Sequence, residues 1–401
     1  MNKKYLMPRD VYASEEHQML KETVEEYYKN ELEGNREQWE TDGFCSRDVW
    51  LKAGELGLLS LTMPLEYGGS GLDFSYSGMV IEELARFSAE SPAISMHSEI
   101  VMPYIEMYGS EKLKKKYLPK MATGEIIGSL GMTEPSTGSD LQAIRTTAVD
   151  KGDHYLVNGS KTFITIGYTS DMTIVACKTG ERGISLIIID ADAEGFTKGK
   201  PFKKIGLKTS DTCELFFEDV KVPKENLIGE EGKGFIYMMK ELPRERLIVA
   251  LQAIGAVKGA MEQTIQYTQE RTAFKQPICG FQNTQFKMAE VAMQLEIHTA
   301  YVDRCIALLA NHQLTAEMAS IAKCACTDMQ GKMLDECLQL FGGYGYIWEY
   351  PIARFWADAR VSKIYAGTNE IMKVMISRAI FSDYFAELKS KMKARALAKK
   401  S

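Results

Sequence analysis

ELPRERLIVALQAIGAVKGA, residues 241–260, is the stretch on which the reading of this chain turns. It lies in a run of helical period that begins near residue 234. Pro243 removes a backbone bond and kinks the helix unless it is the first helical residue. Beyond it, Glu245, Val249, Ala253, Ala256 and Ala260 fall on one stripe at helical spacing, with Arg246 on its edge. Alanine is small, so either another helix or a ligand approaches this face closely. A carboxylate buried there is costly unless paired. Arg244 and Arg246 could supply a structural ion pair. The other reading is a general base at the mouth of a narrow apolar slot.

Working outward, three zones separate by period. Residues 14 to about 125 are helical: SEEHQMLKETVEEYYKNEL has apolar residues three to four apart, and Trp50, Leu51, Leu56 and Leu59 continue the pattern. PLEYGGSGLDF (Pro64 to Phe74) is a Gly-rich loop. From 126 to about 228, Val, Ile, Thr and Phe dominate, with turn signals roughly every ten residues. Strands are expected around Ile144–Val149, His154–Val157, Lys161–Ile166, Met172–Cys177, Ile184–Asp190 and Cys213–Phe217. Asp150–Asp153 and the hairpin signal Asn158-Gly159 punctuate them. The spacing leaves no room for the long crossovers of a parallel sheet. From Gly234 the chain is helical again, in pieces near 234–269, 281–312, 314–341 and 369–395, with loops at Arg271–Gly280 and Gly342–Pro351. The fold class is α+β, ordered α, β, α. Its domains are an N-terminal helical domain (1–125), a middle antiparallel, barrel-like β domain (126–232) and a C-terminal four-helix bundle (233–401).

The composition, 401 residues with 45% hydrophobic and 25% charged, is that of a soluble globular protein. A net charge of −6 and the absence of aromatics interleaved with a basic patch give no footprint for nucleic acid. The basic run KLKKKYLPK (Lys112 to Lys120) reads as a solvated helix face beside Leu113 and Leu118. Eight dispersed Cys read as reduced thiols, and Cys324-Ala-Cys326 as packing in an Ala-rich helix. The five His are scattered, with no metal-ligand spacing, so no metal is expected. MNKKYLMPRD is too short and polar for a signal sequence, no apolar run is long enough to span a membrane, and LKSKMKARALAKKS reads as a basic helical tail. The chain reads as cytoplasmic.

Three further stretches could carry chemistry. MTEPSTGSD (Met132 to Asp140) concentrates free backbone N–H groups and hydroxyls. It could cradle a heterocycle or phosphate, or be an ordinary polar connection. No GxGxxG precedes a helix, which disfavours a Rossmann site. QLFGGYGYIWEYP (Gln339 to Pro351) places three Gly and five aromatics between helices, as core or as one wall of a flat ligand site. KIYAGTNEIM (Lys363 to Met372) reads as a capped helix start, able to bind an anion or a ring oxygen or simply to begin a helix.

In their order these pieces (MTEPSTGSD, KTFIT, R-x-x-F-x-x-P, QLFGGYGY and YAGTNEIMK) resemble the acyl-CoA dehydrogenase flavoproteins over roughly residues 10 to 385. KELPRERL, GLKTSDTCELFFEDV and GGYGYIWEYPIA look most like the long-chain branch. Most members of that family carry the catalytic Glu in a Y-E-G-T motif, which here reads Tyr365-Ala366-Gly367-Thr368. The long-chain and isovaleryl branches instead place a Glu followed by Arg on the helix, as Glu245-Arg246 does here.

The resemblance implies FAD-dependent α,β-dehydrogenation of an acyl-CoA thioester, long- or medium-chain, to a trans-2-enoyl-CoA. Glu245 removes the α-proton while the β-hydrogen leaves as hydride to FAD, and the backbone N–H of Ala366 helps stabilise the enolate oxygen. Leu130, Met132, Thr133, Gly138, Ser139, Phe163 and Thr165 match positions holding flavin in one subunit. Arg271, Phe274, Phe281, Gln339, Gly342 and Gly343 match positions reaching the FAD of a neighbour, and Thr368 and Glu370 the remaining contacts. Ser139, Arg246 and Tyr365 match substrate-side positions. The shared site implies at least a dimer, in the family a homotetramer built as a dimer of dimers, with electrons passing to an electron-transfer flavoprotein.

Three departures stand out. Pro-Ser-Thr-Gly replaces the usual Pro-Gly-Ala-Gly, Phe163 stands where many members have Trp, and Glu99 is the lone acid in a helix that flanks the acyl-tail slot. Glu99 either turns away or pairs with a cation, or else shortens or polarises the slot. The alternatives are an isovaleryl or branched short-chain dehydrogenase and, from a different class, a non-catalytic binding or assembly partner on the same fold.

Overall fold

The computed structural model describes residues 8–89 and 92–387. Its N-terminal layer comprises α1 (Glu15–Tyr27), α2 (Arg36–Asp42), α3 (Arg47–Glu55), α4 (Phe74–Arg86), α5 (Ile94–Met96), α6 (Met102–Tyr108) and α7 (Glu111–Ala122). A π turn over His97–Val101 joins α5 to α6. The helix starts are chemically marked: Ser14, Asp73 and Ser110 accept the N–H groups of His17, Ser75 and Leu113. On α7, Leu113, Tyr117, Leu118 and Met121 turn inward. The basic run is thus a solvated face, from which Lys112 and Lys116 reach Glu225 and Asp190.

The middle sheet contains β1 (Gly128–Gly131), β2 (Thr147–Asp150), β3 (His154–Thr165), β4 (Met172–Lys178), β5 (Ile184–Asp190), β6 (Phe196–Lys198), β7 (Thr212–Pro223) and β8 (Leu227–Ile228). Its order is β6-β7-β3-β2-β4-β5-β8, with β1 beside β4. Most pairs are antiparallel, but β1 runs parallel to β4, and β2 meets β4 in parallel at Thr147 and Lys178. The wholly antiparallel expectation fails there because the β2–β3 hairpin itself serves as the crossover that a parallel pair needs.

Asn158-Gly159 is a second correction. The chain does not turn there, and β3 runs straight through it. The pairing of β3 with β7 slips between Val157 and Gly159, Gly159 has φ 144°, and a Cβ on it would lie 2.7 Å from the Thr146 Cα. The Asn158 amide exchanges hydrogen bonds of 2.9 Å with Asp219. The dipeptide makes a bulge that lets a neighbouring backbone approach.

After β8 comes α8 (Gly234–Glu270), a single helix that contains Pro243 in its interior. A small hairpin of β9 (Thr272–Ala273) and β10 (Gln276–Pro277) leads to α9 (Gln282–Ala310), α10 (Ala316–Leu340), α11 (Pro351–Ala359) and α12 (Asn369–Ile380). Helices α8, α9 and α10 pack on one another and α12 lies on α10. Helix α11 was not anticipated. Pro351 stands in its first turn, and Ile352, Ala353, Phe355, Ala357 and Ala359 turn inward. LKSKMKARALAKKS lies outside the described residues. Among the described residues no helix is long and apolar enough to cross a membrane. Cys324 and Cys326 are buried in α10 as packing.

The small-residue stripe of α8 is filled mainly by a helix. Ala253, Ala256 and Ala260 belong to the buried core. A Cβ at Gly255 or Gly259 would strike the backbone carbonyls of Glu82 and Arg86 on α4. This close approach buries Glu82 and Glu83, and keeping a buried carboxylate ionised is costly unless a cation pairs with it. Arg9 bonds both Glu82 and Asp303, Arg86 bonds Glu25, Glu83 and Glu262, and Lys258 lies 3.5 Å from both buried acids. Replacing Arg9 by Ala leaves Glu82 with Lys258 as its remaining cation. The expected cost is near the lower end of the ~3–5 kcal/mol for breaking a buried pair, read from denaturant midpoints at constant m. A loss below about 1 kcal/mol would show that water or other groups replace Arg9.

Candidate active site

Glu245 sits on α8 one turn past Glu241 and is buried. Neither flanking arginine bonds it. Arg244 turns to Glu99 at 3.2 Å, and Arg246 donates to the Ser320 hydroxyl of α10 at 3.2 Å. The partner of Glu245 is the Tyr104 phenol of α6, which donates to Oε1 at 3.0 Å. The structural ion pair that the sequence left open is therefore not formed. Burial pushes the Glu245 carboxyl up to about 7; the Tyr104 hydrogen bond pulls it down, the charge of Glu241 pushes it up, and Arg246 pulls it down. Glu241 accepts from the Tyr108 phenol at 2.6 Å, and Tyr108 stacks on Tyr237. The Nε of Arg246 is buried without a partner among the described residues.

Glu99 follows the first of its readings and pairs with a cation. It pairs with Arg244 and accepts from Ser77 at 2.6 Å and Thr62 at 3.3 Å. It also lines a cavity of about 20 Å³ with Leu58, Leu61, Ile81, Ser95 and Gln252, among others. It lies within the π turn that joins α5 to α6. Gln252, two turns of α8 beyond Glu245, accepts from the Tyr365 phenol at 3.3 Å. This contact joins the α8 site to the loop 365–368. Ala366 has φ 51° and Gly367 φ 86°, and the Ala366 N–H donates to no acceptor among the described residues. Thr368 caps α12 by accepting the Ile371 N–H, and Glu370 stands exposed in the first turn.

The loop 132–140 is fixed from beneath. Thr133 O accepts the Thr162 N–H at 2.9 Å, and Met132 O accepts from Lys161 Nζ at 3.2 Å. Glu134 takes Lys161 at 2.8 Å together with the N–H groups of Arg145 and Thr146. Leu130 lies buried in β1, paired with Ile174, while Gly138 and Ser139 are exposed. From β3, Phe163 presents a 66%-exposed ring at φ 58°, with Thr165 half-buried two residues on. A non-glycine residue at positive φ is strained, and Phe163, Phe274 and Ala366 are all of this kind.

Arg271, Phe274, Phe281, Gln339, Gly342 and Gly343 all line one open cleft of about 760 Å³ beside the bundle. The structure brings these six together, and none of the 130–165 group lines that cleft. The two groups fit a flavin dinucleotide on physical grounds. The Thr137 hydroxyl is buried without a partner among the described residues. A Cβ at Gly138, Gly342 or Gly343 would meet open space. The exposed Phe163 ring offers a flat apolar wall. Sequence reasoning missed Tyr104, Glu241, and the Lys161–Glu134 pair; Lys161 and Glu134 both lie within quoted motifs, but nothing in Tyr104's own neighbourhood marks it.

Against this geometry, family models for the acyl-CoA dehydrogenase N-terminal, middle and C-terminal domains match residues 14–125, 129–220 and 232–381. The chain is 44% identical over 381 residues to the mitochondrial long-chain specific acyl-CoA dehydrogenase of Sus scrofa, covering 94% of this chain and 88% of that one. It superposes on the crystal structure of an acyl-CoA dehydrogenase from Geobacillus kaustophilus with TM-score 0.90 at 44% identity, covering 93% of this chain and all of that one. A Bacillus anthracis acyl-CoA dehydrogenase complexed with FAD gives TM-score 0.90 at 33% identity, covering all of this chain and 72% of that one. The chain belongs to the acyl-CoA dehydrogenase family, FAD-dependent oxidoreductases acting on CH–CH groups.

Proposed function

We propose that this chain dehydrogenates long- or medium-chain acyl-CoA thioesters between the α and β carbons, with Glu245 as the base. The observation that carries the reading is a buried carboxylate whose partner is a phenol and not a cation. Such a group is a stronger proton acceptor than an ion-paired one, and burial brings it to about 7, where it can take a proton and still be ionised at working pH. The free Ala366 N–H is the donor for the thioester oxygen as negative charge develops there. Arg246, with its buried and unpartnered Nε, and Tyr365 and Ser139 orient the thioester side. FAD, when bound, accepts the β-hydrogen with its electron pair. Leu130, Met132, Thr133, Gly138, Ser139, Phe163 and Thr165 would hold it within one subunit, Arg271, Phe274, Phe281, Gln339, Gly342 and Gly343 would reach the FAD of a neighbour, and Thr368 and Glu370 would make the remaining contacts. Such sharing needs at least a dimer; a homotetramer built as a dimer of dimers, as in the family, is the proposed assembly, and an electron-transfer flavoprotein is the acceptor. Seven of the eight cysteines are buried and none is paired, which fits a reducing compartment such as the cytoplasm.

A second reading, a branched or short-chain substrate, draws on Glu99. A buried charge beside the small cavity along α4 is a poor end for a long apolar tail.

Anaerobic titration with straight and branched acyl-CoAs from butyryl to stearoyl, following bleaching of the visible flavin band, separates the two readings. Long chains should bleach the enzyme; bleaching by short or branched thioesters alone would overturn the long-chain assignment. Glu245→Gln should lower kcat by at least ~10²–10⁴-fold with flavin retained. The same variant should gain stability relative to the parent as pH rises. A carboxyl whose folded pKa is raised stabilises fully below its unfolded value, and that contribution is lost as pH rises through about 7. Above that range the Glu245→Gln variant should be more stable than the parent by up to about 3 kcal/mol, at 1.36 kcal/mol per unit, in thermal melts across pH. The acid limb of kcat/KM should move to higher pH in Tyr104→Phe, which loses a donor to the ionised form, and to lower pH in Glu241→Gln, which loses a repelling charge. Shifts in the same direction would remove Glu245 from the base role.

A further inference from the structure

We propose that Lys323 is a positioning residue for the reaction: its buried ammonium on α10 fixes the Gly367 carbonyl and so holds the Ala366 N–H in place for the thioester oxygen. This rests on the assignment of Ala366 as the oxygen's donor.

Lys323 is completely buried. Its Nζ donates to the Gly367 carbonyl at 2.8 Å and to the Asn369 Oδ1 at 2.9 Å. Among the described residues no carboxylate lies within ion-pair distance of it. A buried ammonium held by neutral acceptors alone is an expensive arrangement, and burial pulls its pKa down to about 8. Asn369 is itself locked, donating to Thr327 Oγ1 at 3.0 Å and Asp328 Oδ1 at 3.1 Å. The loop it serves would not hold its shape unaided. Ala366 and Gly367 are consecutive residues at positive φ, and the first carries a Cβ that disfavours that conformation.

The loop is gripped on both sides of the free N–H. Before it, the Tyr365 phenol is tied to Gln252 of α8. After it, the Gly367 carbonyl is tied to Lys323 of α10. Ser320, one turn earlier on the same face of α10, holds Arg246 beside Glu245. One face of α10, at positions 320, 323 and 327, thus sets both the neighbour of the base and the loop that carries the donor. A hydrogen-bond donor misplaced by a fraction of an ångström loses most of its effect on a developing oxyanion.

The test uses the flavin-loaded enzyme and a 3-thiaacyl-CoA. This ligand has an acidic α-proton and sulfur in place of the β-carbon, so proton removal can occur but dehydrogenation cannot. The enolate beside the oxidised flavin is read as a long-wavelength charge-transfer band, titrated against pH. In Lys323→Met the midpoint of the band should move up by about one pH unit or more, and kcat should fall roughly tenfold to hundredfold with KM changed far less. Lys323→Gln, which keeps a donor without the charge, should lie between Met and the parent. If both variants hold flavin and titrate like the parent, Lys323 does not position the donor. If both lose flavin or fail to fold, Lys323 serves folding and the proposal is equally overturned. If the parent itself gives no band, the assignment of Glu245 and Ala366 fails, independently of Lys323.

Discussion

A carboxylate held out of water without a counter-cation is the constraint around which this structure is arranged. Glu245 lies between two arginines in the sequence, and an ion pair with either would quench its basicity. The fold prevents this by giving each guanidinium another partner. Arg244 is drawn across to Glu99, which must then be buried and surrounded by the hydroxyls of Ser77 and Thr62. Arg246 is drawn to Ser320 on α10, leaving Nε unpaired. The departure noted at Glu99 is thus tied to Glu245: the carboxylate that lines the small cavity is also the one that holds Arg244 away from it.

That arrangement needs helices that do not move relative to one another. The glycines at 255 and 259 let α4 come within backbone contact of α8, and the ionic cluster of Arg9, Arg86, Lys258 and the α4 acids spans the same junction. A salt-bridge cluster of this kind adds little net stability over an apolar core of the same volume. Its value lies in direction, because charges with fixed partners specify one register of α4 against α8. Glu99 and Tyr104, on the segment that follows α4, then meet Arg244 and Glu245 in register.

The features legible in the sequence are those written in local period and motif order. The long helices near 234–269, 281–312 and 314–341 appear within a few residues of their observed bounds, and so does the strand at 184–190, because each has a sustained apolar period. Glycine, hydroxyl and aromatic content singled out the loops proposed for flavin, and six residues spread from 271 to 343 do converge on one cleft. Asn158-Gly159 misled because a glycine that admits a neighbouring backbone and a glycine that turns a hairpin look the same locally. Helix α11 was hidden by the aromatics and Pro351 around its start. The short strands β1, β6 and β8 have too few residues to show a period. Tyr104 was invisible for a different reason: it meets Glu245 across 141 residues of chain, and only the packing of α6 on α8 creates that contact.

Alanine at the Y-x-G-T position then has a physical explanation. At φ 51° the residue at 366 is in a conformation set by the loop, in which its backbone N–H is left free. A base carried there rides on a strained loop, and its side chain must be aimed by that loop's own contacts. A base on α8 is aimed by a 37-residue helix that is buried along much of its length. On the proposed assignment, a carboxylate on the helix separates the two tasks: the loop supplies only a backbone donor, which any residue but proline offers, and the helix carries the group whose pKa is tuned. The tuning partners, Tyr104 and Glu241, are accordingly found around α8.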